Sequence, residues 1–458
     1  MWRDVVIGLT PAWPAAGAMV VGGLSLRGRA LRETTVVRIA TAALMLSLLS
    51  VVFACGAFAV GGFDPMDVRL GHWFRAGDYG FELAFFVDGS SASVSLLASI
   101  LLLATSKFSS NYLHREPGFT RFFALTLVFG AGIQLVAIGG SIELVFAGWE
   151  LVGIASVLLV GFFHERAEPT RAAIRVLVTY RMCDVGLVVA AVLLHQWRHT
   201  TLLAELFREG AHVAPTGDAA ERAAGAVIAI AILIAAMGKS AMFPVGGWLP
   251  RAMEGPTASS AVFYGGLSVH AGVFLLARMS PLYANDLGAR LAIVAVGATT
   301  AAFAAFSGQV SPDAKSALSY ATIAQVGLMF VECGLGFPRL ALVHLVAHAL
   351  LRYYQFLRTP SVLQDALDRR SVVGATQGDE NARRWEILGI GLRRFLYRLA
   401  IERFEVEATL ERWIVRPALT VARACDGLER AMFEPRTPPD SKPPSSRDES
   451  RLVPREDP

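Results

Sequence analysis

The stretch AIAILIAAMGKSAMFPVGGWLP, residues 229–250, decides the class of this protein. It opens as an unbroken apolar run and then sets Lys239 between glycine-containing breaks, with Pro244 and Gly246-Gly247 just beyond. Proline removes a backbone donor and clashes with the preceding turn, so a helix running through this segment should be interrupted here. A broken apolar helix frees backbone groups, which are tolerated at membrane depth only where protein or water satisfies them. Desolvation lowers the pKa of a lysine at such a break and a nearby carboxylate raises it, which is the chemistry of a proton carrier. The plain alternative is a lysine snorkelling from a helix end.

The rest of the chain agrees with a membrane setting. Of 458 residues 54% are hydrophobic and only 17% charged, against about 25% charged in soluble domains, and the mean hydropathy is +0.49. Apolar segments long enough to cross a bilayer lie near 4–24, 36–60, 84–107, 120–140, 142–163, 172–195, 223–243, 257–279, 289–309, 315–336 and 338–357. The expected fold is therefore all-α: a polytopic transmembrane bundle of about eleven spans whose seventh helix is broken. Between 120 and 163 only Gly139-Gly140 and Ser141 interrupt the apolar text, so one long hairpin and two short spans both fit. Pro11 and Pro14, with no small-residue cleavage site after a basic start, favour a first membrane helix over a removed signal peptide.

After Arg358 the composition becomes polar. Residues 359–434 read as a polar linker followed by an amphipathic helical stretch, with Leu410, Trp413, Ile414, Pro417, Ala418, Val421 and Ala422 at three-to-four spacing. Such a helix lies along a membrane surface or against a partner; the plain alternative is a loosely structured tail. Residues 435–458 are proline-rich and charged, the composition of a disordered tail. The formal charge of +4 sits mainly in loops and tail, a topology signal and not a nucleic-acid footprint. Cys55, Cys183, Cys333 and Cys425 stand singly with no CxxC pair, and three lie in or beside apolar runs as inert small residues. No Gly-rich dinucleotide loop, iron–sulfur cysteine cluster or Ser/His/Asp constellation is present, so no cofactor is expected in this chain.

Ionisable residues inside apolar segments carry the functional reading. Glu150 sits within FAGWELVGIASVLLVGFF, where it either serves function or snorkels and hydrogen-bonds Trp149. Arg181 and Asp184 are three apart, hence on one helical face, and can also be a purely structural pair. His344, His348 and Arg352 follow at four-residue steps in VHLVAHALLRYYQFLR. Two such histidines can bind zinc, but that helix offers no acidic or cysteine third ligand; a proton relay is the sharper reading. Lys315, Tyr320 and His270 add polar groups at comparable depth.

The segments GWELVG, YRMCDVG, GKSAMFPVGGWLPRAMEGPT, DAKSALSYATIAQVG and HLVAHALLRYYQFL, in that order, resemble the proton-conducting antiporter-like family. That family includes subunit L of bacterial NADH–quinone oxidoreductase (respiratory complex I), the large Mrp-type antiporter subunits and related hydrogenase subunits. FFVDGSSASV and NYLHREPGFTRFFAL resemble segments that precede this core in subunit L. The resemblance spans about 80–358 and divides the chain into N-terminal helices and loop (1–79), an antiporter-like core (80–358), the linker with its amphipathic helix, and the tail. It implies a half-channel in which Glu150 forms an ion pair coupled electrostatically to Lys239, with Arg181 and Asp184 as the charged pair beside that glutamate. It further implies proton-path roles for Lys315, His344 and His348.

Three departures stand out. The family's subunit L has a histidine where this chain has Tyr264, with His270 six residues on, and Arg352 stands where lysine is usual. The family also continues with a second broken helix and another key lysine, whereas here the membrane part stops near Arg358 and FEVEATLERWIVRPALTVARACDGLERAM resembles the end of subunit L. The resemblance therefore implies a C-terminally shortened member, an entry half-channel without its usual exit. Its expected partners are the lipid bilayer, other membrane subunits of a hetero-oligomeric complex, H⁺ or Na⁺ as the transported ion, and a soluble subunit in one version. Its expected location is the inner (plasma) membrane, multi-pass, with any redox chemistry belonging to the complex. Two other readings keep the fold: the membrane half of a two-component proton-coupled bicarbonate or CO₂ uptake system, and a non-conducting scaffold.

Overall fold

The computed structural model describes residues 2–28, 31–76, 79–208, 219–311 and 313–359, with a few positions between 391 and 426. Residues Met1–Phe404 group into one compact unit and Glu405–Pro458 into another. The expected amphipathic stretch falls almost entirely outside the described residues.

Among the described residues eleven apolar helices make the bundle: α1 (Trp2–Leu26), α2 (Glu33–Val60), α3 (Gly89–Tyr112), α4 (Phe119–Ile138), α5 (Ile142–Val160), α6 (Ala167–Arg198), α7 (Ala219–Lys239), α8 (Thr257–Arg278), α9 (Leu287–Gln309), α10 (Ala314–Leu335) and α11 (Pro338–Arg358). Ten are long and apolar enough to cross a membrane, and α7 contributes a shorter apolar helix, Ala223–Lys239. At 1.5 Å per residue a 20-residue helix covers about 30 Å, the hydrocarbon thickness of a bilayer. The segment 120–163 is two helices: Gly139-Gly140 ends α4, and the Ser141 side chain accepts from the Leu144 amide to start α5. Pro11 and Pro14 lie inside an uninterrupted α1.

A two-stranded antiparallel sheet joins the bundle, β1 (Met66–Ala76) against β2 (Tyr79–Val87), with register shifts around His72. The third span therefore begins at Gly89 and not at 84, capped by Asp88, whose side chain accepts from the Ser91 amide. Arg69 fastens the hairpin, reaching Asp67 at 2.9 Å, Glu82 at 3.4 Å and Glu205 at 3.0 Å. The Thr200 hydroxyl and Arg69 hold the Glu205 carboxyl below its usual pKa. Beneath the hairpin the buried Arg278 donates to the carbonyls of Val136 (3.2 Å), Ala137 (2.5 Å) and Phe86 (2.8 Å). Its charge caps the C-terminal end of α4, where the helix dipole is negative.

Small residues set the helix spacing. A Cβ on Gly132 of α4 would lie 2.9 Å from the Gly148 carbonyl oxygen of α5, and one on Gly148 would lie 2.6 Å from that of Gly132. A Cβ on Gly186 of α6 would likewise lie 2.2 Å from the Ala231 carbonyl oxygen of α7. Without a strong hydrophobic drive inside lipid, such backbone-to-backbone packing holds helices together.

Two helices are irregular. The seventh ends at Lys239, as the sequence leads one to expect, and the chain then turns through Ala241 at φ 55° into short turns at Val245–Gly247 and Trp248–Arg251. Protein groups satisfy the freed backbone: Met242 N donates to Met237 O (3.0 Å), and Phe243 N to Thr300 Oγ1 (3.0 Å). The central helix α8, fully buried over its apolar window, holds a π-helical turn at Ser260–Gly266 and a tight turn at Ser268–His270. π-turns inside helices cluster at functional sites. The two breaks meet, because Ser240 Oγ donates to the Val269 carbonyl at 2.7 Å.

Candidate proton-conducting site

Four ionisable side chains from three helices converge at the first break. Glu150 (α5) pairs with Arg181 (α6) through Oε2 and Nη1. The other guanidinium nitrogen, Nη2, donates to Asp184 Oδ2 at 3.0 Å. Asp184 Oδ1 accepts from the Trp149 indole at 2.5 Å and lies 3.6 Å from Lys239 Nζ. Glu150 and Lys239 are thus joined through Arg181 and Asp184, and the Trp149 indole serves Asp184, not Glu150. With Lys239 protonated and both carboxylates ionised the cluster sums to zero charge; losing that proton leaves it at minus one. At an effective dielectric near 20, unit charges about 4 Å apart interact by roughly 4 kcal/mol, so a change at one member is felt by the next.

The ammonium is held unusually. Lys239 is 0% exposed, and its Nζ has no hydrogen-bond partner among the described residues. Aromatic faces take that place: Nζ lies 4.3 Å from the Tyr180 ring centroid and 4.8 Å from that of Trp149. Such cation–π contacts contribute about 0.5–2 kcal/mol each. Gly153 leaves the necessary room, since a Cβ there would stand 3.0 Å from Nζ and 3.4 Å from Arg181 Nη2. Trp248 and Tyr264 continue the aromatic wall, 5.7 Å apart, and Trp248 stacks edgewise on Tyr180 at 5.1 Å.

A second group lies between α8, α10 and α11. Arg352 Nε donates to His348 Nε2 at 3.1 Å, and His348 Nδ1 is 2.9 Å from His270 Nε2. Arginine only donates, so it fixes the order: neutral His348 carries its proton on Nδ1 and gives it to His270 Nε2. His344 belongs to a separate pair, with Nδ1 2.9 Å from Glu332 Oε1 and Nε2 3.2 Å from Gln325 Oε1. Its ring centroid is 6.1 Å from that of His348. Lys315 lies apart from both groups at the start of α10, bonded to Thr257 Oγ1 at 3.1 Å. Close to it, a cleft of about 750 Å³ lined by Arg171, Arg175, Arg251, Glu254, Asp313 and Ser316 opens where α6, the segment after the break and α10 meet.

Glu150, Arg181, Asp184 and Lys239 are thus one cluster, and His270, His348 and Arg352 one row. Trp149 as a partner of Asp184, together with Tyr180, Gly153, Glu332 and Gln325, escaped sequence reasoning. Only Glu332 carried a usable signal, as a carboxylate near the end of an apolar segment twelve residues before His344.

Residues 140–375 match the family model described as NADH:quinone oxidoreductase/Mrp antiporter, TM, and residues 73–123 match that of NADH-Ubiquinone oxidoreductase (complex I), chain 5 N-terminus. NAD(P)H-quinone oxidoreductase chain 5 of Picosynechococcus sp. is 33% identical over 362 residues, 78% of this chain and 54% of that protein. NADH-quinone oxidoreductase subunit L of Rhodobacter capsulatus is 33% identical over 69% of this chain and 46% of its own length. Among solved structures, the Mrp complex from a Dietzia species superposes with a TM-score of 0.65 at 25% identity, covering 78% of this chain and 37% of that one. The chain spans about half the length of the curated relatives it matches.

Proposed function

Because the chain belongs to the NADH:quinone oxidoreductase/Mrp antiporter membrane family, we propose that it is a proton-translocating subunit of a complex I-like NADH–quinone oxidoreductase or related antiporter complex. It works in the inner (plasma) membrane beside other membrane subunits. Protons enter by the cleft near Asp313 and load Lys239. The Glu150–Arg181–Asp184 chain senses that charge and biases its release toward His270. A partner that moves Arg181 between Glu150 and Asp184 changes the field at Lys239 and so its readiness to hold a proton.

The observation that carries this reading is the Lys239 ammonium: fully buried at a helix break, 3.6 Å from one carboxylate and without a hydrogen bond among the described residues. A structural lysine would be fully paired, because an undersatisfied buried charge costs several kcal/mol. The test is proton flux into proteoliposomes holding the full chain, followed with a pH-sensitive dye. Lys239→Ala should lower the flux about 100-fold, the scale of a lost proton-transfer group. Unchanged flux would leave the scaffold reading.

A further inference from the structure

We infer that Glu332 and His344 form a second mouth of the proton path, opening on the membrane face opposite the Asp313 cleft, so that one chain carries the path from side to side. This rests on the proton-conducting reading of the Lys239 site.

Helix α10 is the ruler. Asp313 caps its first turn and lines the cleft, while Glu332 lies three residues before its end at Leu335. Nineteen residues separate them, a rise of about 28 Å, close to the thickness of a bilayer core. From the α10–α11 connection His344 lies six residues into α11, about 9 Å deep, His348 about 6 Å deeper and Arg352 about 6 Å beyond that. The two residues nearest the α10–α11 connection are the more exposed ones. The Glu332 and His344 side chains are 20% and 24% exposed, His348 is 5% and His270 2%. His270 then adjoins the Lys239 break through the Ser240–Val269 hydrogen bond. From the Lys239 break, ionisable groups therefore run through His270, His348 and His344 to Glu332.

The pair is built to exchange a proton. Gln325 Oε1 accepts from Nε2 of His344, which turns Nδ1 toward Glu332 Oε1 at 2.9 Å. A bare lone pair facing a bare carboxylate at that distance repels, so the contact holds one shared proton. It sits either on the carboxyl, with neutral His344, or on Nδ1, facing a carboxylate. The second carboxyl oxygen, Oε2, is buried and has no hydrogen-bond partner among the described residues. Other titratable and charged groups around the pair are His348, whose ring adjoins that of His344, with His270 and Arg352 bonded beyond it, Cys333 next in sequence to Glu332 on α10, and Arg290 on α9. Arg290 caps the end of α10 through the Gly334 and Leu335 carbonyls at 3.0 and 2.9 Å. Between His344 and His348 one water or a rotation of the His344 side chain spans the gap, and no bond but the proton's own is made or broken. Arg352 occupies His348 Nε2, so His348 takes a second proton only when that guanidinium lets go.

The test uses full-length protein in proteoliposomes and infrared titration of the carboxylic-acid carbonyl band. Glu332→Gln keeps an acceptor for His344 but cannot carry a proton, and should lower flux about 100-fold and remove a titrating carboxyl band. His344→Gln should lower flux as far with Glu332 intact, and decides the matter if Glu332→Gln does not fold. Flux lost in Lys239→Ala but equal to wild type in Glu332→Gln or His344→Gln overturns this mouth and leaves the Lys239 reading standing. If wild type itself conducts nothing, the Lys239 reading falls; the exchange pair then survives only if Glu332→Gln removes the titrating band, and is overturned if the spectra coincide.

Discussion

At the scale of single residues, the charged members of the site were legible because each is an energetic anomaly in apolar text. Glu150, Arg181, Asp184 and Lys239 stood out for that reason, and they lie together. Their uncharged supports were not legible: Tyr180 and Gly153 satisfy the hydrophobic pattern as well as any leucine or alanine does. Trp149 was noticed, but as a partner for Glu150, since sequence spacing does not say which of two carboxylates an indole reaches. Gly153 tests how far the site depends on those supports. In Gly153→Ala the added Cβ stands 3.0 Å from Lys239 Nζ, the far end of a flexible side chain, so the ammonium shifts by a few tenths of an ångström and the backbone stays in place. Thermal unfolding in detergent should move by less than about 1 kcal/mol. Proton flux should fall roughly tenfold, because misplacing a reacting group by a fraction of an ångström to an ångström has costs of that order. Flux at the wild-type level would mean that the tight fit around Nζ has no bearing on conduction.

At the scale of elements, the break after Lys239 was written in Pro244 and the flanking glycines, whereas the irregularity of α8 was not. Between Thr257 and Arg278 the chain has no proline, and Gly265 and Gly266 are common in membrane helices. Their effect depends on α11, whose Phe356 side chain and Arg352 backbone would lie 2.8 and 3.2 Å from a Cβ on Gly265. That contact is tertiary and leaves no periodic trace. The α6–α7 seam makes a sharper test. Gly186 lies two residues from Asp184, and a methyl group there would sit 2.2 Å from the Ala231 carbonyl oxygen, which only separation of the helices can relieve. Gly186→Ala should therefore destabilise the bundle by about 1–3 kcal/mol and widen the 3.6 Å approach of Lys239 to Asp184. Both a lower unfolding temperature and lost flux are expected. A fall in stability with flux intact would mean that the seam supports the fold and not the ion pair.

At the scale of the whole molecule, the eleven apolar segments reappear as eleven helices among the described residues because hydropathy reports the one constraint a bilayer imposes everywhere. The hairpin was missed because β2 runs into the third apolar segment, expected to begin at 84, and its anchors, Arg69 and Arg278, bind groups far away in sequence. Glu332 was nearer to hand, a carboxylate twelve residues before His344, but its meaning comes from that histidine on the next helix. The order of the two groups across the bundle leads to one last expectation. If protons pass the Lys239 cluster and then the histidine–glutamate row, the two lie in series and the slower step sets the flux. Lys239→Ala combined with Glu332→Gln should then be no slower than the slower single variant, the non-additivity expected of residues acting as one unit. Parallel routes would behave otherwise: each single variant would keep the flux of the untouched route, and only the pair would abolish conduction. Flux in the double variant relative to both singles separates these arrangements, because the serial order ties both groups to one path through this chain.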